Sequence, residues 1–140
     1  MTVTETYPGE FSSLASISDF VVEQAEKIGF DPKQIYAIQT AVDEACSNII
    51  DHAYGGENLG YIEISVDRLE NGMRIVIVDD GKPFDPDEVP IPDMISPLEE
   101  RRERGLGVFF MRKLMDEVCY DFSNPNHNVL VMIKRLNFAS

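Results

Sequence analysis

Positive charge is scarce in this sequence: 12 Lys and Arg stand against 25 Asp and Glu, for a formal net charge of −13. A protein that grips a phosphate backbone needs a basic stripe. The one basic cluster is Arg101, Arg102 and Arg104, so direct nucleic-acid binding is not expected. An acidic surface suits solubility or a basic protein partner. Long apolar runs are also missing, and none approaches the ~20 residues of a membrane span. The segment Met1 to Glu10 is polar and acidic, unlike a signal or transit peptide, so a cytoplasmic location is expected. Cysteine is sparse, and Cys46 and Cys119 lie far apart without metal-ligand spacing; reduced thiols are the expectation.

What remains is an ordinary globular composition, 44% hydrophobic and 26% charged, over 140 residues. That length suits a single domain with one core. Ser12 to Ile28 reads as a helix, with Leu14, Ile17, Val21, Ala25 and Ile28 near helical spacing and Gly29 as its stop. Asp31-Pro32-Lys33-Gln34 is a helix start: Asp31 caps, Pro32 fits the first turn, and Gln34 completes a capping box. The helix is expected to run to Tyr54, before Gly55-Gly56. Ile35, Ile38, Val42, Ala45, Cys46, Ile49 and Ala53 form its apolar stripe, and Glu44, Asn48 and Asp51 fall on the other side.

A hairpin follows, with strands around Tyr61–Leu69 and Arg74–Val78 joined at Glu70-Asn71-Gly72. Lys82 to Arg104 holds five prolines and no sustained periodicity, the pattern of a functional lid. A third helix is expected from Gly105 to about Val118, then strands Cys119–Phe122 and Val129–Arg135. The fold class that follows is α+β, a two-layer sandwich with helices on one face of a mixed sheet.

Three segments carry chemistry: Glu44-Ala45-Cys46-Ser47-Asn48, Asp79-Asp80-Gly81, and Gly105-Leu106-Gly107 at a helix start. Each alone has a bland reading, as a solvated helix face, a turn, or backbone punctuation. Their order describes a nucleotide site. An Asp after a strand can accept from an exocyclic amine, and an Asn amide oxygen suits Mg²⁺. Glu44, one turn before Asn48, can take a proton from an attacking hydroxyl. Gly105 and Gly107 can bring backbone amides to phosphates at a helix N-terminus. Phosphoryl transfer needs mostly positioning and charge neutralisation.

Glu44 to Tyr54 resembles the N-box of the Bergerat-fold ATPases shared by histidine kinases and gyrase. Asp79 to Pro86 resembles their first glycine box, and Arg104 to Val118 the second. The continuation Leu-Met-Asp-Glu-Val is most similar to the anti-sigma-factor serine kinases of the RsbW and SpoIIAB type. The resemblance runs from about Phe11 to Leu136. It implies ATP and Mg²⁺ as cofactors, with Glu44 as general base, Asn48 as Mg²⁺ ligand, and Asp79 on the adenine amine with Gly81 shaping its turn. Arg104, Gly105, Leu106 and Gly107 would hold the phosphates under a lid spanning roughly Pro90 to Arg104. It further implies a serine substrate on a STAS-domain anti-anti-sigma protein, sequestration of a sigma factor, and a homodimer.

Two residues depart from the pattern. Pro83 stands at the second glycine position of the first box, where it removes an amide donor. The last strand, opening Asn128-Val129-Leu130, lacks the threonine often found near the adenine pocket. Pro83 motivates an alternative, an ATP-binding regulatory module that binds partners without phosphoryl transfer. A histidine-kinase catalytic half is disfavoured, since no phospho-acceptor histidine sits on a preceding helix. His52, one turn after Asn48, and His127, in a loop, carry no expected role. Met111 and Met115 are expected in the core.

Overall fold

The computed structural model describes residues 2–84 and 111–136. Along the chain run β1 (Thr2–Pro8), α1 (Ser13–Ile28), α2 (Pro32–Asn48), a π-helical segment (Ile49–Tyr54), β2 (Tyr61–Leu69), β3 (Gly72–Asp79), β4 (Glu117–Asp121) and β5 (Asn128–Arg135). The strands make one sheet in the order β1-β2-β3-β5-β4. Every pairing among them is antiparallel, which corrects the expected mixed sheet. The sequence supplies no local sign of strand direction; the returns through tight turns and across the helical pair set it.

Helix α1 ends as its sequence dictates. Gly29 adopts φ 107°, a left-handed cap that other residues resist, and its amide donates to the Ala25 and Glu26 carbonyls. The capping box at α2 is complete: the Gln34 amide donates to Asp31 Oδ1 at 2.7 Å, and the Asp31 amide donates to Gln34 Oε1. Gln34 is also buried, and its Nε2 donates to the Arg135 carbonyl at 3.0 Å, tying the start of α2 to the end of β5.

One core joins both layers. Ile17, Val21 and Ala25 of α1 and Ile38, Val42 and Cys46 of α2 meet Ile62, Ile64, Ile75, Ile77 and Met132 of the sheet, all nearly or fully buried. Met111 and Met115 belong to that core, as expected. Leu14, Ile28 and Ile35 pack against it partly buried.

Three element expectations change. A strand, β1, precedes the first helix and pairs with β2 from Thr2↔Asp67 to Pro8↔Tyr61. Helix α2 is α-helical only to Asn48; the wider π-helical turns carry it on to Tyr54. The third helix does not reach Val118: residues 111–114 are helical, and Val118 lies in β4 opposite Met132. The strand wins there because Val118 and Tyr120 alternate toward the core between outward Glu117, Cys119 and Asp121.

Candidate nucleotide site

Helix α2 delivers two of the expected residues. Asn48 closes its α-helical part and is fully buried, although its side chain is an amide. Neither its Oδ1 nor its Nδ2 has a hydrogen-bond partner among the described residues. A buried amide left unsatisfied costs free energy in the folded chain, so the site fits a ligand that would supply those bonds. Glu44, one turn earlier, is half-buried. Cys46 between them is an inert core thiol, its pKa driven up by burial and by nearby Asp43 and Asp79.

Strand β3 delivers the third. Asp79 is its last residue and is 5% exposed. Its Oδ1 accepts two hydrogen bonds, from the Gly81 amide at 2.9 Å and from Asn128 Nδ2 at 2.8 Å. Burial raises the Asp79 pKa; these two bonds pull it down and neighbouring Asp80 pushes it up.

The turn after Asp79 is joined to the end of the helix. The Lys82 amide donates to the Ala53 carbonyl at 2.8 Å, satisfying a carbonyl that the helix terminus would leave orphaned. Gly81 lies so close that a Cβ there would stand 2.6 Å from the Ala53 carbonyl carbon and oxygen. The Tyr54 hydroxyl donates to Asp80 Oδ1 at 2.8 Å or to the Tyr61 carbonyl at 2.5 Å, and accepts from the Asp80 amide at 3.2 Å. Phe84 then packs near His52, with ring centroids 5.6 Å apart, and near Tyr120 of β4 and Phe122 just after it. The structure therefore brings the Asp79–Gly81 turn onto the helix that carries Glu44 and Asn48.

A family model for the histidine kinase-like ATPase domain matches residues 7–134. The serine-protein kinase RsbW of Halalkalibacterium halodurans is 33% identical over 140 residues, covering 96% of this chain and 83% of that protein. This chain is a histidine kinase-like ATPase domain of the RsbW serine-protein kinase family. RsbW of Oceanobacillus iheyensis is 32% identical over 117 residues, covering 79% of this chain and 71% of its own. Two solved structures share the fold. One, comprising the RsbU and RsbW domains of a Mycobacterium tuberculosis protein, covers the whole of this chain and 35% of its own at TM-score 0.68 and 15% identity. The other, the catalytic domain of the histidine kinase ThkA, covers 95% of this chain and 97% of its own at TM-score 0.53 and 17% identity.

In this RsbW-family domain, the second glycine box (Arg104, Gly105, Leu106 and Gly107) and the lid expected at 90–104 lie outside the described residues. Pro83 is exposed and follows Lys82, so the donor it lacks is not the one that bonds Ala53. Asn128 is the residue that sequence reasoning undervalued. It is 4% exposed, directly opposite Asp79 in the β3–β5 register, and bonded to both Asp79 and Gly81. An Asn opening a strand was the available signal, but its partner across the sheet was not legible.

Proposed function

We propose that this domain binds Mg-ATP against the polar side of α2 and the Asp79 turn, and transfers the γ-phosphoryl group to a serine of a STAS-domain anti-anti-sigma protein. The observation that carries the reading is Asn48, a fully buried amide with no hydrogen-bond partner among the described residues, at the end of the helix whose π-helical continuation accepts the Lys82 amide that follows the Asp79–Gly81 turn. Asp79 would accept from the adenine amine through Oδ2, the oxygen that Asn128 and Gly81 leave open. Asn48 Oδ1 would face a Mg²⁺ ion, which prefers oxygen ligands and retains water. Among the described residues no group of three or more His, Cys, Asp and Glu could hold a metal, so phosphates and water would complete such a shell. Bound Mg²⁺ would neutralise phosphate charge.

Glu44 would accept the serine hydroxyl proton as the new O–P bond forms and the bond to ADP breaks. Gly105 and Gly107, with Arg104 and Leu106, would hold the phosphates. The unphosphorylated STAS protein would compete with a sigma factor for this domain, and the phosphorylated form would release it to sequester the sigma factor. The reading also places the domain in the cytoplasm as a homodimer; no described helix is long and apolar enough to cross a membrane.

The test is Glu44→Gln with the cognate STAS protein as substrate. Loss of a general base is expected to slow phosphoserine formation by about 10²–10⁴-fold while ADP still binds. Unchanged transfer by Glu44→Gln would overturn the assignment. Absence of transfer by the wild type, with ATP binding intact, would favour a regulatory module that only binds partners.

A further inference from the structure

We infer that Asn128 is a positioning residue for nucleobase recognition: it locks the Asp79 carboxylate and the Gly81 turn into one acceptor geometry. The inference rests on the adenine site proposed above and names a residue that site depends on. Three observations carry it. The β3–β5 register sets Asn128 directly across from Asp79, so both side chains leave the same face of the sheet. Both are almost fully buried. The Asn128 Nδ2 group donates to Asp79 Oδ1 at 2.8 Å and to the Gly81 carbonyl at 3.0 Å, using both its hydrogens on two acceptors.

The orientation of that amide is forced. Flipped, Asn128 would set its own oxygen against the Asp79 carboxylate and the Gly81 carbonyl, three acceptors together. In the observed orientation Asp79 Oδ1 already accepts from the Gly81 amide and Asn128, which leaves Oδ2 as its open acceptor among the described residues. An incoming amine therefore meets one oxygen in one direction. A threonine has a single hydroxyl donor and could not hold both acceptors at once. The asparagine joins carboxylate to turn, and the turn to the helix end, since the next amide, Lys82, bonds the Ala53 carbonyl.

The experiment compares ADP with purine riboside diphosphate, which is ADP without the exocyclic amine, by titration calorimetry on the full chain. Wild type should prefer ADP by roughly 10–100-fold, the scale of a hydrogen bond to a charged group. Asn128→Leu keeps the γ-branched shape and removes both donors. It should bind ADP about as weakly as the wild type binds the analogue, leaving the analogue's affinity unchanged. Asn128→Thr, with one donor, should fall between the two, and it decides the matter should the leucine variant not fold. Equal weakening for both ligands would mean a purely structural role and overturn the inference. So would undiminished preference for ADP in whichever variant folds. If the wild type itself shows no preference, the adenine site fails, and this inference fails with it.

Discussion

Asp79 is a carboxylate held almost out of water, and its two hydrogen bonds only partly offset what burial does to it. Its folded pKa lies above the ordinary aspartate value, so folding favours the protonated form. That contribution to stability is complete below the unfolded pKa and is lost as pH rises through the elevated folded value. Above that value the ionised Asp79 therefore weighs against the apo fold. Asp79→Asn removes the charge, and its amide oxygen can still accept from Gly81 and Asn128. The apo variant should melt above wild type at pH 7, with the difference closing as pH falls through the aspartate range, and ADP should no longer stabilise it. A lower apo Tm at pH 7 would contradict this account. Such a residue, kept at some expense of stability, is what a binding function explains.

Among the elements, the join between the π-helical segment and the β3 turn is the one that sets the Asp79–Gly81 turn against the helix end. Gly81 is required there by space, since any Cβ would enter the Ala53 carbonyl. Gly81→Ala should cost about 1–3 kcal/mol in urea unfolding and weaken ADP binding. Gly56→Ala, whose Cβ would meet only Leu59 Cδ1 at 3.6 Å among the described residues, should stay within about 0.5 kcal/mol of wild type. Comparable losses at both positions would refute the steric argument. Much of this level was legible beforehand: the capping box at Asp31, the stop at Gly29 and the β2–β3 hairpin follow from local chemistry. Strand β1 was harder to read. Thr2, Thr4 and Thr6 alternate with Val3, Glu5 and Tyr7, a strand pattern obscured by its polarity, and only Val3 and Tyr7 pack against the core. The Asn128 contacts were not legible, because they depend on partners many residues away.

For the whole molecule, nucleotide and fold are linked by mass action. At 100 times its dissociation constant, Mg-ATP should add about 2.7 kcal/mol to stability, a Tm rise of roughly 5–10 °C for a domain of this size. Thermal scans with and without ligand measure it; an unmoved Tm at saturating ATP would count against the site as a whole. The sheet order has a further consequence, in the timing of assembly. Strands β2 and β3 meet through a turn of a few residues and can zip early. Strand β1 waits for a partner far along the chain, with Thr2 opposite Asp67 and its hydroxyl bonded to that carboxylate. As the chain leaves the ribosome, β1 emerges before either helix and has no complement until β2 follows. Its threonines and Glu5 keep that waiting edge wettable, so a composition that looks unremarkable in the finished sheet also protects the nascent chain from pairing with the wrong strand.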